Sequence, residues 1–298
     1  MTNQRRADAD DGDAAARLAR ARRAERGRSG INSGLDALEC LAAATAGLTL
    51  TELAQQLGMA KSSVHELLAA LAARGYVRRA ADQRYHVGVK AWEVGCRATV
   101  VEIGRVAEPY MAELVREVDE GVALGVLDGG HVVCIQIAES AQVVRVHNRV
   151  GERNPAHGLS NGLALLATLS DDEVLTRLPR KLEKLTPRTL DSRSALLAEL
   201  RRVRERGYAV CRGSWRLDVA GVAVAVRGAD GRAVAGVSIA LPVERLSAAH
   251  LKRIAAGLLK AAAGIEAQLG HPAGGAAAAL PPRQRAAAPA ARAARALV

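Results

Sequence analysis

The stretch that most constrains the fold is Leu48 to Leu71, LTLTELAQQLGMAKSSVHELLAAL. Thr49 followed three residues later by Glu52 is a capping box, in which each side chain satisfies an otherwise unpaired N–H at a helix start, so a helix is predicted from Leu50. Leu53 and Leu57 share one face of it, and Gly58 supplies the backbone freedom for a sharp turn after about two turns of helix. From Lys61 onward Val64, Leu67, Leu68 and Leu71 fall at i, i+3, i+4 and i+7, an apolar stripe opposite Lys61, Ser62, His65, Glu66 and Ala69. Two short helices joined at a glycine turn make a helix-turn-helix, whose second helix docks in the DNA major groove.

The residues on either side of this stretch sharpen the reading. Tyr76-Val-Arg-Arg79 and Arg84-Tyr-His-Val-Gly88 alternate apolar and polar residues on either side of a turn-like Ala81-Asp82-Gln83, a short β-hairpin that makes the wing of a winged helix. Upstream, Leu35, Leu38, Leu41 and Ala42 give Ser33 to Thr45 an apolar helix face to cover the back of the motif. The order LxxLAxxLGxxKSSVHxLLxxLxxxGYV and then RYxVG resembles the N-terminal domain of the IclR family of bacterial transcriptional regulators. The segment Val89 to Arg105 reads as helical, with Trp92 and Cys96 four apart; the resemblance makes it the linker helix, and Trp92 is expected in the core or at a dimer contact.

The net charge of +11 suggests a nucleic-acid partner, but its distribution weakens that inference: residues 1–32 carry +3, 33–95 carry 0, 96–270 carry +4 and 271–298 carry +4. DNA affinity must then come from local placement of Lys61, Arg78, Arg79 and Arg84, and from pairing two such domains. The Arg-, Asp- and Ala-rich start, with a frayed helix considered over Ala14 to Arg26, and the Ala-, Pro- and Arg-rich end are both expected to be disordered. Cys40, Cys96, Cys134 and Cys211 are scattered without a CxxC pair, which fits a reducing compartment and gives no zinc spacing. No apolar run reaches the roughly 18 residues needed to cross a bilayer, and the start lacks the apolar segment of a secretory signal, so a cytoplasmic protein is expected.

A second domain is expected from Val106. Val106 to Val118 reads as a helix, and Val122 to Leu127 and His131 to Ile137 as a hairpin turning at Asp128-Gly-Gly130. Val143 to His147 reads as another strand. Gly162 to Leu169 and Asp171 to Leu178 read as helices, the second capped by Ser170; Ser192 to Arg206 is a helix stopped by Gly207. Val219 to Val226 and Ala233 to Leu241 form a hairpin, and a last helix runs from about Glu244 to Leu269. One sheet with segregated helices is an α+β domain.

VGERNPAHGLSNGLALLA, Val150 to Ala167, RERGYAV, Arg204 to Val210, and ADGRAVAGVSIALPVERL, Ala229 to Leu246, are similar to segments of the IclR effector-binding domain. The resemblance implies a winged helix-turn-helix domain (31–88), a linker helix (89–105) and a GAF-like effector domain (106–270) between tails 1–30 and 271–298. It further implies a small organic effector between the sheet and the loops at Ala156 to Gly162 and Val210 to Gly221, and a homodimer or homotetramer on double-stranded operator DNA.

The sequence departs from the family pattern at both sites. Where the family commonly has Arg in the reading helix, this chain has Glu66, which can only accept, for instance from a cytosine amino group, or can close a capping box with Ser63. The DNA-contact candidates are therefore Lys61, Ser62, Ser63, His65 and Glu66 in the groove, with Arg78, Arg79 and Arg84 on phosphate. In the second domain GYAV continues as Cys211-Arg-Gly-Ser-Trp-Arg-Leu-Asp218, without the family's acidic run, and Ser160-Asn161 replaces Ala-Leu. Gly158, Ser160, Asn161, Cys211, Arg212, Trp215, Arg216 and Asp218 are the effector-site candidates, in which Arg212, Arg216 and Asn161 offer donors to an organic acid. Loss of effector response, leaving a constitutive DNA-binding regulator, is the alternative.

Other classes fit poorly. His131 and Cys134, three apart on a strand, point to opposite faces and cannot share a metal as a local pair. His157 near Ser160 lacks a Gly-x-Ser-x-Gly elbow, and there is no Walker loop or GxGxxG, so no catalytic residue, metal or cofactor is assigned. With no Phe and 2% aromatic residues, the chain lacks the stacking surface of a single-strand binder.

Overall fold

The structure, a computed structural model, describes residues 30–96 and 99–271. Both tails, with the helix considered over 14–26, lie outside the described residues. The chain divides into two units between Val101 and Glu102.

The first unit is built on α1 (Gly30–Ala43), α2 (Leu50–Leu57) and α3 (Lys61–Ala73), followed by β1 (Val77–Arg79), β2 (Tyr85–Val87) and α4 (Val89–Gly95). The capping box is formed in full: Thr49 N–H donates to Glu52 Oε2 at 2.7 Å and Glu52 N–H to Thr49 Oγ1 at 3.3 Å. Gly58 ends α2 in the left-handed region at φ 54°, which lets α3 start three residues later, at Lys61. Ala37, Leu41, Leu53, Val64, Leu68, Val77 and Tyr85 form its buried core. The wing pairs antiparallel, Val77 with Val87 and Arg79 with Tyr85, and Leu48 bridges to Tyr85 from before α2, tying wing to helices. Gly47 makes room for this: at φ +70° a Cβ there would strike the His86 ring.

The second unit has an antiparallel six-stranded sheet in the order β5-β4-β3-β8-β7-β6. Its strands are β3 (Val122–Asp128), β4 (His131–Ala138), β5 (Arg153–Pro155), β6 (Ala209–Arg212), β7 (Val219–Arg227) and β8 (Ala233–Pro242). Alternation along the strands splits the side chains between two layers. Val222, Val224, Val237 and Ile239 pack against α5 (Thr99–Val118) and α9 (Ala248–Gln268). Ala209 and Ala223 face a second layer with α6 (Ser160–Leu166), α7 (Asp171–Arg177) and α8 (Arg193–Arg206). Helix starts follow their caps: Ser170 forms a capping box with Glu173, Ser192 accepts from Ala195 N–H, and Gly207 ends α8 at φ 80°.

Three expectations are corrected. Val143 to His147 is not a strand: Val143 is 95% exposed, and the partner edge on β4 is taken by Arg153–Pro155 instead, with Pro155 tolerated because β5 is the edge. The helical segment expected over 89–105 is split: α4 stops at Gly95, a weak helix former, and α5 runs without interruption from Thr99 through Pro109 to Val118. The last helix starts at Ala248 rather than Glu244, because Ser247 caps it by accepting from His250 N–H while Val243–Arg245 forms a 3-10 turn. Among the described residues no helix is long and apolar enough to cross a membrane.

Candidate DNA interface and ligand face

On α3 the buried Val64 and Leu68 hold one side to the core and leave Lys61, Ser62, Ser63, His65 and Glu66 exposed together. All five groove candidates are therefore exposed, spread over roughly half of the helix circumference. The residue before the helix is Ala60, which provides no side-chain cap, so the first N–H groups of α3 have no side-chain partner from that position. Since the helix begins at Lys61, Ser63 lies inside its first turn and does not head a capping box with Glu66. Glu66 is left as an exposed carboxylate on the outer surface.

The three wing arginines separate. Arg78 and Arg79 are exposed on β1, with the Arg79 guanidinium 5.4 Å from the Tyr85 ring centroid, a cation–π distance. Arg84 is turned inward. Its Nη1 donates to the Gly47 carbonyl at 2.9 Å and to Glu52 Oε2 at 3.0 Å. Glu52 is held below the ordinary carboxylate range by the Thr49 backbone N–H, then by the Thr49 hydroxyl, with Arg84 adding to both. Trp92 is not core: it is 71% exposed on α4, beside exposed Val89 and Val94.

In the second unit the start of α6 lies directly on the sheet. Asn161 Nδ2 donates to the Gly236 carbonyl at 2.9 Å and to Ser238 Oγ at 3.1 Å. Gly125 and Gly236, paired across β3 and β8, leave the space it occupies: a Cβ at Gly236 would collide with Asn161 Oδ1, and one at Gly125 would come within 3.2 Å of Nδ2. Ser160 does the same over Gly221, where a Cβ would lie 2.6 Å from its hydroxyl. Both side chains are buried; Asn161 gives its amide N–H groups to the sheet, while its Oδ1 is buried with no hydrogen-bond partner among the described residues.

Around them, Ser214 Oγ donates to the Gly158 carbonyl at 2.9 Å, and Leu185 lies over Gly158. Thr186 and Thr189 hydroxyls donate to the Gly213 and Ser214 carbonyls, both at 2.6 Å. The 182–190 segment thus clamps both loops expected to line the pocket, Ala156 to Gly162 and Val210 to Gly221. Cys211 sits half-buried on the α6 side of β6, paired with Gly221, and burial pushes its thiol up to about 11. Trp215 is half-buried with the Arg216 guanidinium 4.5 Å from its ring centroid, and Arg216 and Asp218 are exposed.

Arg212 is separated from this group. It follows Val210 by two along β6, on the α5 and α9 side of the sheet, and its Nη1 donates to the Leu246 carbonyl at 2.9 Å. The residue that sequence reading missed is Ser238, 9% exposed and bonded to Asn161. Its signal was present: it is the lone hydroxyl in the apolar run AVAGVSIAL.

Residues 97–267 match the model of the bacterial transcriptional regulator IclR C-terminal domain, and residues 33–81 match that of the IclR helix-turn-helix domain. The chain belongs to the IclR family. It is 36% identical to the HTH-type transcriptional regulator KdgR of Escherichia coli (strain K12), over 74% of this chain and 86% of that protein. It is 28% identical to the transcriptional repressor IclR of the same organism, over 78% of this chain and 86% of the relative. Among solved structures, an IclR homolog from Microbacterium hydrocarbonoxydans complexed with 4-hydroxybenzoate superposes with a TM-score of 0.72 at 26% identity, covering 81% of this chain and 99% of that one. IclR-family membership makes this chain a DNA-binding transcriptional regulator, and its relatives are regulators rather than enzymes.

Proposed function

We infer that this regulator reads a near-palindromic operator through α3 and acts as a repressor in the cytoplasm, with a small organic acid in the second unit changing its hold on DNA. The observation that carries the DNA half is the exposure of Lys61, Ser62, Ser63, His65 and Glu66 along α3 while Val64 and Leu68 are buried. Lys61 and the uncapped N–H groups of α3 suit phosphate, His65 and Glu66 suit base edges, and Arg78 and Arg79 on the wing suit phosphate. Exposed Trp92 and Val89 on α4, with exposed Ile31 and Leu35 on α1, support self-association of two or four copies. Half-site reading needs at least two.

The ligand face is assigned to the α6 side of the sheet near Cys211, Ser238, Trp215, Arg216 and Asp218. Support for an acid comes from Arg216 and from the relative that holds 4-hydroxybenzoate. A second reading, constitutive regulation without an effector, is favoured by one observation: Ser160 and Asn161 are both buried at the start of α6, with the Asn161 amide N–H groups committed to the sheet. The deciding experiment is binding of the full chain to its own upstream DNA, titrated in salt. Selective retardation with a steep salt slope supports the regulator's reading mode, and repeating it with a panel of aromatic and aliphatic monocarboxylates separates the two readings. Unselective, weak retardation sinks the operator assignment.

A further inference from the structure

A separate polar cluster gathers at the end of the sheet where α5 leads into β3 and β8 into α9. Glu120, on the α5–β3 connection, is 2% exposed, and its Oε2 accepts from Arg245 Nη2 at 2.7 Å. Arg245 turns its other amino group onto the β4–β5 loop: Nη1 donates to the Val144 carbonyl at 2.9 Å and to Gln142 Oε1 at 3.4 Å. Its own carbonyl accepts from His250 Nδ1 at 3.0 Å, in the first turn of α9, so Nδ1 carries the ring proton. One residue therefore bonds three separate stretches of chain. Arg245 Nε and His250 Nε2 are buried with no hydrogen-bond partner among the described residues.

The loop held there has few other ties. Among the described residues, side chains from outside the loop reach 141–148 from Arg245 and from Asp119, whose Oδ2 accepts from Gln142 Nε2 at 2.6 Å. Arg145 is spent within the loop, on Glu139 at 3.1 Å and the Gln142 carbonyl at 3.3 Å. Burial does not anchor it either, since Val143 is 95% and Val144 66% exposed. The loop leaves the sheet just beyond Ile137, which pairs with Ala123, and Ala123 pairs with Ser238 on its other side. Its root therefore lies in the same row of the sheet as Ser238, one of the residues of the ligand face.

We propose that Arg245 is the positioning residue that clasps the 139–150 loop to the sheet end at the rim of the ligand face. Its consequence for regulation, though not the clasp itself, rests on reading that face as the effector site. Arg145 and Arg149 make the loop a trypsin target, so the test is limited digestion of the full chain, with cleavage after Arg145 followed by mass spectrometry and hydrogen exchange of the 139–150 peptide alongside. Arg245→Gln is expected to raise that cleavage rate about tenfold or more, while exchange in the middle of α5 and β8 stays unchanged. Gln142→Ala, which removes no buried group, is expected to raise it several-fold and carries the test should Arg245→Gln not fold. An unchanged cleavage rate in Gln142→Ala and in any folded Arg245→Gln overturns the clasp, as does an equal rise in exchange across the whole unit. With 4-hydroxybenzoate as the probe, loop protection in the wild type that is lost in Arg245→Gln supports a part in the response, and equal protection in both removes it. Protection in neither, with the cleavage difference intact, leaves the clasp standing and counts against the effector reading for that acid.

Discussion

Arg84 Nη1 lies 3.0 Å from Glu52 Oε2, so the side chain expected to hold phosphate from the wing forms a strut between the wing and the capping box of α2. The same Glu52 oxygen closes the box on Thr49, and the Arg84 guanidinium also satisfies the Gly47 carbonyl. Arg84→Ala is therefore expected to lower the thermal midpoint of the first unit while leaving the salt slope of DNA binding as it was. Arg78→Ala is expected to do the reverse, reducing the slope of log K against log salt by about 0.9 with no loss of stability. Filter binding across a salt series reads both, and a lowered slope in Arg84→Ala would restore it to the phosphate contacts.

Glu66 and Lys61 are both exposed on α3 but differ in what they can recognise. Lys61→Ala is expected to weaken binding to specific and unrelated DNA by similar factors. Glu66→Ala is expected to relax preference at a single position of each half-site, by about 1–3 kcal/mol of discrimination. Selection of binding sites from a randomised operator, run on both variants, distinguishes them; an unchanged motif with Glu66→Ala would remove it from the reading set.

Asn161 sits where Gly125 and Gly236 leave no side chain. Gly236→Ala must displace the amide that docks α6, at a cost of about 1–3 kcal/mol for an overpacked site. Asn161→Ala should recover part of that loss in the double variant, a coupling that additive behaviour in urea unfolding would rule out.

Burial holds the thiols of Cys134 and Cys211 up to about 11, against 9.0 for an unhindered thiol. The folded state keeps its protons longer than the unfolded one, so the associated stability is complete below pH 9 and is lost as pH rises toward 11. The urea midpoint of the wild type is expected to fall more between about pH 8 and about pH 10 than that of a Cys134→Ala, Cys211→Ala double variant. Equal falls would show that the two thiols ionise as readily folded as unfolded.

Thr49→Ala removes a cap formed in full and is expected to cost about 1 kcal/mol of stability in the first unit, read by thermal unfolding.

Much of this architecture was legible along the chain because its signals are local. The Thr49–Glu52 box, the left-handed turn at Gly58, the apolar stripe of α3, the Ser170 and Ser192 caps and the Gly207 stop each depend on residues within about one or two helical turns of one another. Those fixed the elements, the winged helix-turn-helix and the surface of α3 that faces outward. Strand pairing was less secure: Val143 to His147 has the composition of a strand, but a strand exists only where an edge is free to receive it, and Arg153–Pro155 holds that edge.

What only the tertiary structure decided is which polar side chains remain available. Arg84 and Glu52 are 32 residues apart, Asn161 and Ser238 are 77 apart, Arg212 and Leu246 are 34 apart, and Arg245 and Glu120 are 125 apart. Nothing in the spacing of such pairs distinguishes a guanidinium or an amide that will meet its partner inside the fold from one left to meet DNA or a ligand. That distinction is made when distant strands and helices close on each other, because a buried polar group must find a partner and takes the one that packing brings within reach.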